Sequence, residues 1–257
     1  MKLDLSNVEF SLADKKKGIT VPNELTEELA EDIGLHIGDG AIEIKKNRKS
    51  PISITHSSNK YEKDHLEYVI TLKKKLYNIC NYRIVKRNNG RGLSFCSLVI
   101  STFYASVFDI PWGKKKDLDV PYIIKNSKNK NMIISFIRGL VDTDFGLILR
   151  NKYGKIYPSM EGASSSKKLI LSLSYLFDIL GIKHYTYYNE KTFDKRTNKT
   201  YTRHKIIVNG FDRVSYFLNI IKPKNSKYIR RIKKMGLARF ELAISSSLRE
   251  DEGLTPV

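Results

Sequence analysis

The feature that most narrows the fold of this chain is that it repeats itself. The stretch Leu29-Ala-Glu-Asp-Ile-Gly-Leu-His-Ile-Gly-Asp-Gly40 has a counterpart in Ile134-Ser-Phe-Ile-Arg-Gly-Leu-Val-Asp-Thr-Asp-Phe145. Gly34, Leu35 and Asp39 match Gly139, Leu140 and Asp144, 105 positions further on. A repeat fixes the architecture before any single element does, and this one continues downstream, as a chance match does not. Two strand-like runs follow each motif, 41–46 with 52–56 and 147–151 with 156–160. Each pair leads into an amphipathic helix, 62–79 with Leu66, Val69, Leu72 and Leu76, and 165–180 with Leu169, Leu173, Leu176 and Leu180. Second strand pairs at 82–87 with 93–99 and at 183–190 with 201–209 follow, split by turn-rich or charged segments such as Asn88-Asn89-Gly90, and short helices at 101–108 and 211–221 close the copies. The expected fold is α+β, two pseudo-symmetric αββαββα halves each with an antiparallel sheet. The first half takes 1–110 and the second 132–236, joined by an exposed linker at 111–131 with its Lys114-Lys115-Lys116 run and followed by a tail at 237–257.

The two motifs are where chemistry is expected. Apolar residues three to four apart (Leu25, Leu29, Ile33, Ile37; Ile133, Phe136, Ile137, Leu140) give each motif helix one buried stripe, with the aspartate at its C-terminal end. Gly34 and Gly139 leave room for two helix backbones to approach, which would bring Asp39 and Asp144 close. Carboxylates at the negative ends of two helix dipoles repel each other, and a hard divalent cation with oxygen ligands relieves that repulsion. Such a cation activates water and steadies the leaving oxygen of a phosphodiester. A lone Asp-x-Asp such as Asp142-Thr-Asp144 says little; the duplicated Gly-Leu-x-x-x-Asp says much more.

These residues resemble the LAGLIDADG homing endonucleases, whose name is spelled by the motif seen here as Asp32-Ile-Gly-Leu-His-Ile-Gly-Asp-Gly40 and Ile137-Arg-Gly-Leu-Val-Asp-Thr-Asp-Phe145. The resemblance spans about 24–236. It implies a pseudo-twofold monomer, two saddle-shaped antiparallel sheets in the DNA major groove, and a central site cutting both strands with Mg2+ (or Mn2+). The family's metal-binding acids fall on Asp39 and Asp144. His36-Ile37 departs from the usual apolar-acid pair, and Phe145 stands where the motif ends in glycine. An intron RNA maturase and a non-cleaving DNA-binding regulator are alternatives on the same scaffold, with intron RNA as the partner of the former; retention of both acids favours the endonuclease.

Charge agrees with a polyanionic partner. Lys plus Arg number 46 against 27 Asp plus Glu, a net charge of +19, which repels itself unless nucleic acid neutralises it. A membrane is not the expected partner, because the greasiest stretch, 169–182, is short and interrupted by Ser172, Ser174 and Asp178. No signal-peptide layout opens the chain, so a cytoplasmic location is expected. Cys80 and Cys96, without a CxxC or a His cluster, read as two buried reduced thiols rather than a disulfide or a zinc site. Alternating basic residues on the strands mark the expected DNA-binding face: Lys46, Arg48, Lys86, Arg87 and Arg91 in the first half, and Arg150, Lys152, Lys195, Arg196, Arg203 and Lys205 in the second, with Tyr185, Tyr187 and Tyr201 interleaved. The run of seven cations between Lys222 and Lys234 reads as a phosphate-contacting segment, whereas the tail has two basic and four acidic residues and should lie off the nucleic acid.

Overall fold

The computed structural model describes residues 1–44, 52–87, 90–115, 117–152, 155–195 and 197–234, with the backbone alone at Ile52, Arg87, Lys152, Asp194 and Lys234. In chain order the elements are α1 (Leu12–Lys16), α2 (Glu27–Asp39), β1 (Gly40–Ile44), β2 (Ile52–Asn59), α3 (Lys63–Tyr77), β3 (Arg83–Arg87), β4 (Gly90–Phe95) and α4 (Leu98–Phe108). They continue with α5 (Tyr122–Lys125), α6 (Lys130–Asp144), β5 (Phe145–Lys152), β6 (Lys155–Ser164), α7 (Lys167–Ile179), β7 (Tyr185–Asp194), β8 (Lys199–Asn209), α8 (Phe211–Ile221) and α9 (Lys227–Lys234). The αββαββα order appears twice, from α2 to α4 and from α6 to α8. Two four-stranded antiparallel sheets result, ordered β1-β2-β4-β3 and β5-β6-β8-β7. The chain divides into two compact units, Met1–Lys115 with Pro121–Thr143, and Lys116–Val120 with Asp144–Val257. The second motif helix thus belongs to the first unit as far as Thr143. The stretch 111–131 is not uniformly exposed: it contains α5 and buries Leu118, Val120 and Ile124, apolar residues that its prolines and lysines outweigh in a sequence reading.

In the first unit α2 starts from a Thr26 cap whose side chain accepts the Leu29 N–H, and α6 lies directly against it. A β-carbon at Gly34 would fall on the Phe136 carbonyl oxygen, and one at Gly139 on that of Glu31. Only glycine at both positions lets the backbones come this close. The Glu31 carboxylate, nearly fully buried, accepts from Tyr68 Oη at 2.5 Å and pairs with Arg138 of α6 at 3.3 Å. Gly34→Ala and Gly139→Ala are each expected to cost about 1–3 kcal/mol, since an added methyl must push one helix backbone off the other. Denaturant midpoints unchanged in both variants would refute this.

Behind α2 the core of the first unit is polar. Lys73 on α3 donates to Asp32 Oδ1 at 2.6 Å and to Tyr104 Oη at 2.9 Å, while Asp32 Oδ2 accepts from Tyr77 and Tyr104 hydroxyls, both at 2.6 Å. His36 lies 4.4 Å from the Tyr104 ring, and His56 sits on β2 opposite Gly40. Both imidazoles are fully buried, and neither has a hydrogen-bond partner among the described residues. Burial first, then the charges of Lys73 and Lys115 and the nearby histidines, hold both well below the usual histidine range. In the unfolded chain they take protons near pH 6.5, so below that pH the unfolded state binds protons that the native state refuses. Stability should therefore fall as pH drops beneath about 6.5, by roughly 1.4 kcal/mol per pH unit for each histidine. Urea midpoints measured from pH 7 to 5 test this; a flat profile, or one that a His36→Phe/His56→Phe variant fails to flatten, removes these two groups as the cause.

The second unit fills the corresponding space with aromatic rings. Phe177 and Phe217, on α7 and α8, lie 5.6 Å apart between centroids, and Phe145 stacks on Phe217 at 6.3 Å. Phe145, the departure from the motif's glycine, faces Gly162 across the β5–β6 ladder, and a β-carbon on Gly162 would enter the Phe145 ring. The first unit has the reverse arrangement, with Gly40 facing His56. Large and small residues have changed strands, so Phe145 is accommodated without altering the ladder.

The N-terminal segment is tied to the first unit. Lys2 bridges Glu24, and Asp14 Oδ2 accepts from the Leu98 and Val99 amides at the start of α4. Burial raises the Asp14 pKa, but the bonds from Ser11, the Val99 amide and Ser97 outweigh it and leave the carboxyl below its ordinary value. Cys80 is exposed rather than buried, in the turn after α3 where its Sγ reaches only Asn78 O at 3.7 Å; Cys96 is half-buried, and both thiols are free.

Candidate metal and nucleic-acid site

Asp39 is the last residue of α2 and Asp144 the last of α6, and each runs straight into the first strand of its sheet. Asp39 is half-buried and Asp144 exposed. One residue before the aspartates, Gly38 of α2 meets Thr143 of α6, where a β-carbon on Gly38 would overlap the threonine hydroxyl; that hydroxyl bonds back to the Gly139 and Leu140 carbonyls. Helix-to-helix contact therefore persists to the final residue before each acid within the first unit. Lys115 closes the end of α2: its ammonium donates to the His36, Ile37 and Gly38 carbonyls at 3.0, 2.6 and 2.8 Å. A cation on the last carbonyls offsets the negative end of the helix dipole and fixes the turn from which Asp39 projects. Among the described residues no three His, Cys, Asp or Glu side chains gather into a metal cluster. The oxygen donors of Asp39 and Asp144, at negative helix ends, are of the kind that a hard divalent cation takes.

In the second sheet one face is packed on helices and the other is open. Register places Arg150, Tyr157, Glu161, Arg203, Lys205, Tyr185, Tyr187 and Tyr201 on the open face, with the Lys152 backbone position in the same alternation, while Leu147, Met160, Ile206 and Val208 point into the core. The open face carries two acids as well. Arg150 pairs with Glu161 at 2.5 Å and Lys205 with Glu190, so two of the expected phosphate contacts are engaged within the protein. Beside Asp144 this face opens into a cleft of about 510 Å³, lined further by Ala163, Ser164, Ser165, Tyr201, Thr202 and Arg203.

Residues 131–245 match the family model described as the LAGLIDADG-like domain. The second half of this chain is thus similar to a LAGLIDADG-like domain. Over both halves the fold is that of single-chain LAGLIDADG homing endonucleases. One match is a mesophilic variant of the homing endonuclease I-DmoI, at 19% identity and a TM-score of 0.50, covering 76% of this chain and 95% of that one. Another is an I-DmoI variant in complex with its target DNA nicked in one strand, in the presence of Mn, at 19% identity and a TM-score of 0.52, covering 77% and 98%. A variant of I-SmaMI matches at 14% identity and a TM-score of 0.50, covering 87% and 97%. No curated protein matches the chain.

The remaining sequence candidates are placed differently. Lys46 and Arg48, like Arg196 in the second half, lie outside the described residues, as does the 237–257 tail. Lys86 and Arg91 face each other across β3–β4, exposed, but they share the side of the sheet that holds Ile54, His56 and Leu93. The opposite, open side carries Arg83 and Val85 of β3, with the Arg87 backbone position in the same alternation. Arg83 was not among the sequence candidates. Lys195 is exposed in the β7–β8 turn. Of the basic run from Lys222 to Lys234, the part from Lys227 forms α9, held on β5 by the buried Tyr228, whose hydroxyl donates to Phe145 O at 3.0 Å, and by the buried Ile232. Lys115 was visible only as one lysine of an apparent linker run. No helix among the described residues is long and apolar enough to cross a membrane.

Proposed function

We propose that this chain is a site-specific endonuclease of double-stranded DNA that works as a single chain, with Asp39 and Asp144 each giving a carboxylate to Mg2+ or Mn2+. One observation carries the reading: two repeated helices, packed glycine on glycine, each end in an aspartate. The LAGLIDADG-like match over the second half supports it. The cation, once bound, activates water for attack on a phosphodiester and steadies the leaving oxygen. The protein's own part is to hold the acids and the DNA. Lys115 fixes the turn that presents Asp39, and the open sheet faces supply cations and aromatic rings toward a groove. Incubation of purified protein with Mg2+ and a library of duplex DNA, followed by sequencing of cut ends, tests this: cuts at one related set of sequences, lost in EDTA, are expected, and an uncut library overturns the reading.

With a net charge of +19, affinity for duplex DNA is expected to fall steeply with salt. Each phosphate neutralised by Lys or Arg releases condensed counterions and contributes about −0.9 to the log–log slope. Titrations at several salt concentrations measure it, and a slope near zero would mean that the basic residues do not meet phosphate.

A further inference from the structure

We propose, building on the endonuclease reading, that Arg203 is a positioning residue for one DNA strand, gripping a phosphate in the cleft beside Asp144. The two aspartates stand in unlike surroundings. Asp39 is half-buried at a helix end that Lys115 closes, whereas Asp144 is exposed and opens on the cleft in the second unit. What lines that cleft has the chemistry of a phosphodiester site: one carboxylate, one guanidinium, and the hydroxyls of Ser164, Ser165 and Thr202. The Ser164 hydroxyl oxygen accepts from the Ser166 amide at 3.1 Å, which leaves its proton to donate outward.

Arg203 differs from the other cations of this face. Arg150 is held by Glu161 and Lys205 by Glu190, although Glu190 stands directly opposite Arg203 in the β7–β8 register. Among the described residues no carboxylate claims Arg203, which is exposed on the open face. A guanidinium presents two parallel donors to two phosphate oxygens and cannot lose its charge near neutral pH. Anchored on a strand, it draws a phosphate toward the carboxylate that is to hold the cation, against the repulsion between the two anions. Arg203 therefore fixes where the phosphate sits and takes no proton.

The test is a double-mutant cycle on duplex affinity in EDTA, with a mixed-sequence duplex of about 30 base pairs at low salt. Asp144→Asn should raise parental affinity about four- to fivefold, because it relieves repulsion of the phosphate that Arg203 holds. In an Arg203→Gln background the same change should raise affinity less than twofold, since that phosphate is no longer drawn in. In a Lys199→Gln background, on the same strand but outside the cleft, the gain should stay at its parental size. Gains that multiply to within about twofold in both backgrounds, as independent sites do, overturn the proposal. A second arm reads strand bias: on a duplex recovered from the library, Arg203→Gln in Mg2+ should accumulate nicked product, one strand cut at the parental rate and the other far more slowly. Equal slowing of both strands overturns it as well. A parent that binds the duplex yet cuts nothing in Mg2+ defeats the endonuclease reading, and the cycle in EDTA still decides the role of Arg203.

Discussion

Asp39→Asn and Asp144→Asn will each abolish double-strand cleavage while leaving affinity for duplex DNA within a few fold of the parent. An amide keeps the size of the carboxylate and loses the charge that holds a hard cation, so metal occupancy falls. The basic sheet faces proposed to meet phosphate are untouched, and they should supply most of the affinity. Neither change should unfold the chain, since Asp144 is exposed and Asp39 only half-buried. In the absence of metal the variants should bind at least as tightly as the parent, because one negative charge facing the DNA backbone has gone. Cleavage of both strands is read on a gel in Mg2+, and affinity by titration in EDTA. Parental cutting by either variant would show that the two-aspartate site is wrong and favour a binding or RNA-directed role for this scaffold.

The repeat made the fold legible. Order and number of elements in each half follow from it, and the glycine pair gave the helix packing because a missing side chain at matched positions has few other uses. Boundaries moved where local chemistry differs from periodicity. The run 93–99 reads as one strand, but Ser97 accepts the Ile100 amide and starts α4 at Leu98, so β4 ends at Phe95. The facing of the second sheet was also legible, since Ile206 and Val208 alternate with Arg203 and Lys205. In the first sheet alternation alone misleads: in Arg83-Ile-Val-Lys-Arg87 both parities carry cations, and Lys86 shares the core side yet is exposed. Lys115 was not legible at all. It reaches α2 from more than 75 positions away, and no local pattern marks a lysine destined for three carbonyls.

The halves also show how one scaffold holds two kinds of core. In matched positions of the paired helices Lys73 corresponds to Phe177 and Tyr104 to Phe217, while Asp32 corresponds to Ile137 and His36 to Val141. The second unit closes on packed rings. The first closes on charges and hydroxyls, beside the helix that presents Asp39. Buried polar networks are costly to assemble and specify their geometry tightly once every member is satisfied. The network of Asp32, Lys73, Tyr77 and Tyr104 therefore constrains the orientation of α2 through directed bonds, where the aromatic core of the second unit relies on shape.

That difference leads to the largest stability effect expected in this protein: Lys73→Met should destabilise it by about 3–5 kcal/mol. The ammonium is almost fully buried and serves both Asp32 and the Tyr104 hydroxyl. Methionine fills the space of the stem but leaves the Asp32 carboxylate deep in the unit with only two tyrosine hydroxyls to hold it. An uncompensated buried charge is among the few mechanisms that reach this size from one substitution. The equivalent change in the second unit, Phe177→Met, removes ring contacts but strands no charge, and should cost less. Adding Asp32→Asn to Lys73→Met should return part of the lost stability, since it removes the stranded charge while an amide oxygen still accepts from the tyrosines. Chemical denaturation of the three variants measures this. A Lys73→Met midpoint within about 1 kcal/mol of the parent would mean that water or rearrangement satisfies Asp32, and that the ion pair does not hold the first unit together.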